Sequence, residues 1–253
     1  MIRNKKAALV IGIALAVIEI ILGVQIQLKS SGITCYASVI IAVVCALLFT
    51  KADFRSLFVA LGLVFTSFAD VCLVLLNPIE QMLGMVFFTA AQICYAIGIY
   101  NIGKARVGVK TNVIPRGALA LVLELAAFAV LGEAMDALVV ITMLYFANLL
   151  CNTALLFFNG GSKTLAFGML AFIGCDVFVG LHVLVQQYVT AAEGTLLYAL
   201  THTGINVAWL FYVPSQTLIA LYVIAFAVRE RNISSEHSSE NRVQLDLNQS
   251  YIK

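Results

Sequence analysis

Residues 57–76 read LFVALGLVFTSFADVCLVLL, an apolar run that contains one ionisable side chain, Asp70. A transmembrane helix needs about 20 mainly apolar residues to cross the hydrocarbon core of a bilayer. Polar segments flank the run on both sides, KADFRS at 51–56 and NPIEQ at 77–81. The stretch therefore predicts one membrane-spanning helix with an acid inside it.

Seven further apolar runs of this kind follow or precede it, separated by short polar or charged segments. The eight predicted spans are Ala7–Val24, Ile33–Thr50, Leu57–Leu76, Met82–Tyr100, Gly117–Leu131, Ala137–Phe158, Thr164–Leu184 and Asn206–Val228. Together they predict an all-α, polytopic membrane helix bundle over residues 1–228. Residues 229–253 are polar and aperiodic, a composition typical of disorder, and are expected to form a separate tail.

The composition excludes several classes of protein. Of the 253 residues, 62% are hydrophobic and 11% are charged, whereas soluble globular domains have about 45–50% apolar and about 25% charged residues. The formal net charge is only +2, without the concentrated basic surface that nucleic-acid binding requires. An integral membrane protein with no nucleic-acid partner is therefore expected.

The distribution of basic residues predicts the orientation, because lysines and arginines in short loops stay on the cytoplasmic side. With eight spans, all lysines and arginines except Lys29 fall on one side of the membrane. Both termini, and with them the tail, are therefore predicted to be cytoplasmic. In a bacterium the membrane would be the plasma membrane.

Four acids lie inside predicted spans, namely Glu19, Asp70, Glu124 and Asp176, and no lysine or arginine occupies a span interior. Placing an ionisable side chain at the bilayer centre costs at least about 2.5–3.5 kcal/mol, so such residues are functional-site hypotheses. The alternative is that each acid only hydrogen-bonds a neighbouring helix as a structural contact. Unpaired acids of this kind suit acid catalysis or proton coupling.

The spacing of these acids suggests how they are arranged. Asp176 follows Asp70 by 106 residues and Glu124 follows Glu19 by 105, which is compatible with a duplicated 4+4 helix unit. Asp70 and Asp176 lie roughly 18–20 Å from the cytoplasmic starts of their spans, at 1.5 Å per residue. If their helices are neighbours, the two aspartates form a carboxyl pair in the extracytoplasmic half of the bundle.

Amide and tyrosine side chains in three spans are candidates for substrate binding. They are Gln92 and Tyr95, Asn148 and Asn152, and Tyr212 and Gln216. Tyr212 fits an interfacial aromatic belt equally well. The spans contain no HxxxH motif and no Cys/His cluster, so neither a metal nor another cofactor is expected.

Four segments carry a family resemblance. They are Gly62–Leu73 (GLVFTSFADVCL), Gly84–Tyr95 (GMVFFTAAQICY), Gly168–Val177 (GMLAFIGCDV) and Trp209–Ile219 (WLFYVPSQTLI). In this order they resemble the F-S-x-x-G-D, G-x-x-x-F-x-x-A-H-x-x-Y, G-A-x-x-F-x-x-S-D and Y-x-x-x-Q-x-L-I segments of the YhhN-like, or lysoplasmalogenase, family of eight-span membrane proteins. Both aspartates match the family pattern.

The chain departs from that pattern at several positions. Thr66 and Ala69 stand where the family usually has Ser and Gly, Cys175 stands where it has Ser, and Gln92 stands where it has His. A glutamine cannot shuttle protons at neutral pH as a histidine can, but it can still orient a water molecule or a phosphate oxygen.

The resemblance implies hydrolysis of the vinyl-ether bond of a lysoplasmalogen, a lysophospholipid substrate, with Asp70 and Asp176 as the acid and base. The resemblance does not say which aspartate has which role. It also implies an apolar groove for the alkyl chain, with the amides near the head group. Two other classes stay open at this point: a proton-coupled carrier or lipid-binding membrane protein, and a catalytically inactive member of the family. The oligomeric state is not predicted.

Overall fold

The computed structural model describes the backbone of residues 5–50, 53–100 and 109–250, and the side chains of residues 6–50, 53–100 and 112–229. Every regular element in these ranges is a helix. They are α1 (Lys5–Leu28), α2 (Gly32–Phe49), α3 (Phe54–Asp70), α4 (Gln81–Tyr100), α5 (Val109–Leu131), α6 (Ala137–Phe158), α7 (Lys163–Gln187), α8 (Leu196–Thr201) and α9 (Val207–Ser250). A π-helical turn, Val71–Leu75, continues α3.

Eight of these helices, all except the short α8, are long and apolar enough to cross a membrane. The prediction of an all-α, eight-span bundle is confirmed. The side of the membrane on which the termini lie and the 4+4 repeat stay predictions.

The starts of several helices are fixed by their preceding residues. The side chains of Ser31, Asp53 and Asp136 each accept a hydrogen bond from a backbone N–H in the first turn of α2, α3 and α6. Such caps satisfy donors that have no partner within the helix. Short polar segments between spans therefore fix where these three helices begin.

Helix α9 packs against helices from both ends of the chain. In chain order α3 packs on α4, α4 on α6, α6 on α7 and α7 on α9, and α9 then packs on α1, α2 and α3. Helix α5 packs on α6. One buried apolar cluster extends through this arrangement. The helices α3, α4, α6, α7 and α9 surround one interior, where their side chains meet.

The last helix differs from the sequence-based expectation. A disordered tail is predicted from residue 229, but α9 continues as a helix through Ser250. A helix that has already formed extends by one hydrogen bond for each residue it fixes, so it can run into residues that would not nucleate a helix alone. The division into a membrane domain and a cytoplasmic tail stays a prediction.

Candidate functional site

The fold brings Asp70 and Asp176 into one site. Asp70 is the last residue of α3 and is buried, and Asp176 lies in the middle of α7 and is half-buried. Among the described residues α3 and α7 do not pack on each other directly, because α9 lies against both. The two carboxyl groups nevertheless border the same interior, because Tyr212, which binds Asp70, packs on Phe172 of α7, one helical turn before Asp176.

Each aspartate accepts a hydrogen bond from a tyrosine. The hydroxyl of Tyr212, on α9, donates to Oδ2 of Asp70 at 2.7 Å. The hydroxyl of Tyr145, on α6, donates to Oδ2 of Asp176. The tyrosines fix the orientation of both carboxyl groups, while each Oδ1 accepts no hydrogen bond from the described residues.

Aromatic rings join the two tyrosines. The ring centroid of Phe88 lies 5.5 Å from that of Tyr145 and 5.8 Å from that of Phe172. The ring of Phe172 lies 5.6 Å from Tyr212, which also packs edge-on against Trp209 at 5.1 Å. Tilted and edge-on pairs of this kind are the favourable arrangements of aromatic rings. The carboxyl pair is therefore bordered by an ordered apolar layer.

Tyr95 and Gln216 lie next to this layer. Tyr95 is fully buried, and its hydroxyl is 3.3 Å from Oγ1 of Thr66, one helical turn before Asp70. Gln216 lies one turn after Tyr212 and is also buried, but neither atom of its amide group has a hydrogen-bond partner among the described residues. Buried polar groups are nearly always hydrogen-bonded, so this amide marks a place for water or for a polar group of a ligand.

The other three predicted substrate-binding residues surround Arg116 instead. The guanidinium group donates to Oδ1 of Asn148 at 2.9 Å and to Oδ1 of Asn152 at 2.8 Å. The amide of Asn152 donates in turn to Oε1 of Gln92 at 2.9 Å. Gln92 lies one turn, about 6 Å, beyond Phe88 towards the predicted cytoplasmic side. A direct role of Gln92, Asn148 and Asn152 in substrate binding stays a prediction.

The Arg116 network predicts a stability effect that leaves the carboxyl pair intact. Replacing Arg116 by methionine would leave the two asparagine oxygens without their donor and would loosen α5 from α6. We expect a loss of about 1–3 kcal/mol, the cost of unpaired buried polar groups. Thermal unfolding in detergent measures it, with Lys29→Met as the charge-matched control. Equal melting temperatures for the two variants would contradict a structural role of Arg116.

The two glutamates do not join the aspartates. Glu19 is buried in α1, where Ser38 of α2 donates a hydrogen bond to it. Glu124 lies half-buried on α5, which packs on α6 within the described residues. Of the four acids in the spans, Asp70 and Asp176 are therefore the two whose tyrosine partners border the same aromatic interior.

Sequence reasoning does not single out Tyr145 or Arg116. Tyr145 lies in an apolar run without a motif, and Arg116 contributes only to the count of cytoplasmic charges. The signal that could have indicated Arg116 is the pair Asn148 and Asn152, since two amides one turn apart form a surface that an arginine on a neighbouring helix can bind.

Comparison with known proteins gives the family of the chain. No curated protein and no solved structure matches it. Residues 30–223, well over half of the chain, match the YhhN family. This range includes both aspartates and both tyrosines that bind them. The chain therefore belongs to the YhhN family.

Proposed function

We propose that the protein is a membrane-embedded lipid hydrolase that cleaves the vinyl-ether bond of a lysoplasmalogen, giving a fatty aldehyde and a glycerophospho-amine. The observation that carries this proposal is the carboxyl pair of Asp70 and Asp176. Each carboxyl group is held by a tyrosine, each keeps one oxygen free of described donors, and both face an aromatic interior. Membership of the YhhN family supports the same class of reaction.

The reaction needs two carboxyl groups in different protonation states. One carboxylic acid donates a proton to the alkene carbon that is distal to the ether oxygen, and the positive charge that results is shared between the other alkene carbon and that oxygen. The second group, a carboxylate, stabilises this cation and takes a proton from the water molecule that attacks it. Glycosidases divide the work between two carboxyl groups in the same way.

The products follow from the balance of atoms. Water adds to the carbon next to the ether oxygen and forms a hemiacetal. The hemiacetal then breaks its bond to the glycerol oxygen, which leaves as an alcohol with one proton, and the remaining carbon becomes the aldehyde. Gln216, with its unpaired buried amide one turn from Tyr212, is in a position to hold the attacking water.

The alternative is a proton-coupled carrier. It would use the same two acids, because acids without basic partners also suit proton coupling. The two tyrosines favour hydrolysis, since they hold the carboxyl groups in fixed orientations, as a general acid and base require.

The test is aldehyde release by the purified protein in detergent. We expect aldehyde from the vinyl-ether lysolipid and none from matched lysolipids with a saturated ether or an ester at the same position. In D₂O the aldehyde should gain one deuterium at the carbon next to the carbonyl, because the first step protonates that carbon. Folded protein that releases no aldehyde would contradict the hydrolase. Uptake of a lipid into proteoliposomes driven by a pH gradient would then favour the carrier.

A further inference from the structure

A cavity of about 520 Å³ lies between the last turns of α7 and the connection from α8 to α9. Sites for small molecules typically have volumes of about 300–1,000 Å³. The cavity is at the end of the bundle that the sequence predicts to be extracytoplasmic. Its lining includes Phe178, His182, Gln186, Thr203, Asn206 and Trp209.

Trp209 links the cavity to the residues around the carboxyl pair. The indole ring lines the cavity and also packs edge-on against the ring of Tyr212, whose hydroxyl binds Asp70. On α7, His182 lies six residues after Asp176, about 9 Å further along the helix axis. The rings of Trp209 and Tyr212 therefore lie between the cavity and Asp70.

The wall of the cavity is held in place by hydrogen bonds. The side chain of Gln27, at the end of α1, donates to the carbonyl of Asn206 at 2.9 Å and accepts from its backbone N–H at 2.8 Å. The hydroxyl of Thr203 donates to the carbonyl of Ile205 at 2.8 Å. The connection before α9 is thus fixed against α1, and the cavity is formed before any ligand binds.

The chemistry of the lining selects the ligand. It contains no Lys, Arg, Asp or Glu, and the exposed side chains of His182 and Gln186 make no hydrogen bond to the described residues. The lining therefore offers a head group with a net charge no opposite charge to bind. A zwitterion needs only dipoles, and its ammonium group can bind the face of Trp209.

We infer that this cavity is the head-group subsite, where the zwitterionic phospho-amine part of a lysophospholipid binds while its chain passes Trp209 to the carboxyl pair. This inference rests on the proposed function. It places the head group on α7 and α9, and not at the amides around Arg116.

Trp209 provides the readout, because it is the single tryptophan of the chain. Lysolipids with a saturated alkyl ether have no vinyl ether to cleave, so binding can be measured without turnover. We expect saturable changes in Trp209 fluorescence when the phosphoethanolamine lysolipid is added to the full-length protein in detergent. The phosphoglycerol lysolipid, which has the same chain and a net negative charge, should need at least ten times the concentration for half-saturation.

Two variants test the lining directly. His182→Leu and Gln186→Leu should each raise the half-saturating concentration of the phosphoethanolamine lysolipid about ten-fold. Gln187→Leu is the matched control, since Gln187 does not line the cavity and bonds Gln81 instead. Equal binding of the two head groups, or equal effects of Gln186→Leu and Gln187→Leu, would overturn the subsite.

The same measurements test the head-group subsite and the hydrolase activity independently. Selective binding of the zwitterionic lysolipid without aldehyde release from the vinyl-ether lipid would support the subsite and contradict the hydrolase. Aldehyde release with no selective change in Trp209 fluorescence would support the hydrolase and overturn the subsite.

Discussion

Asparagine in place of Asp70 or Asp176 is expected to lower the rate of aldehyde release at least about 100-fold, the lower bound for loss of a general acid or base. Asparagine keeps the size of the side chain and can still accept a hydrogen bond from Tyr212 or Tyr145. It cannot give a proton to the alkene carbon or take one from water. Steady-state measurements on each purified variant should show the loss in kcat, since the group acts in the transition state.

Asp136 provides a matched control within the same chain. It accepts a hydrogen bond from the hydroxyl of Tyr188 at 3.0 Å and caps α6, so it forms an aspartate–tyrosine pair outside the membrane-spanning segments. Burial and the contact with Asp136 raise the pKa of the Tyr188 hydroxyl. Asp136→Asn retains a good cap and should retain full activity. Comparable kcat for the three variants, with all of them folded, would remove Asp70 and Asp176 from the mechanism.

The membrane architecture could be predicted from the sequence because it depends on composition. Each span is an apolar segment of the right length, and a single acid such as Asp70 is conspicuous within it. The bilayer imposes these constraints on every segment independently, without reference to the other helices. For the same reason Asp70 and Asp176 could be identified as candidates.

The partners of these residues could not be predicted, because they depend on how the helices pack. Neither the position of α9 between α3 and α7 nor the pairing of Tyr145 with Asp176 follows from a pattern in either segment. Both require the rotation of each helix about its axis, which is set by side-chain packing across the whole bundle. The partners of the amides could not be predicted either. Asn152 has the same polarity whether it binds Arg116 or a substrate, so the sequence does not distinguish the two.

Small residues decide how closely the helices of the first half can approach, and Gly62 on α3 is the clearest case. A Cβ atom at this position would lie 2.3 Å from Cε1 and 2.5 Å from Cδ1 of Tyr95 on α4. Membrane helices pack closely where glycine lets one backbone approach the side chains of the next. Tyr95 is fully buried, so its ring has no free space into which it can turn.

Gly62→Ala should therefore destabilise the fold by about 1–3 kcal/mol, the usual cost of overpacking, and displace the Tyr95 ring that lies beside the carboxyl pair. Thermal unfolding in detergent measures the first effect, and aldehyde release measures the second. Gly180→Ala is the control, because a Cβ atom at Gly180 of α7 meets nothing within 4 Å. That variant should be neutral or more stable, since alanine favours a helix by up to about 1 kcal/mol over glycine.

A second substitution separates the steric effect from any general sensitivity of α3. Leucine in place of Tyr95 removes Cε1, the atom nearest to the new Cβ atom, and Cζ, so Gly62→Ala should cost less in a Tyr95→Leu background than in the parent protein. The difference between the two costs is the coupling energy of the pair. If Gly62→Ala lowers the melting temperature equally in both backgrounds, contact with Tyr95 is not the cause. If Gly62→Ala leaves the melting temperature unchanged in both backgrounds, α3 and α4 are further apart than the structure places them.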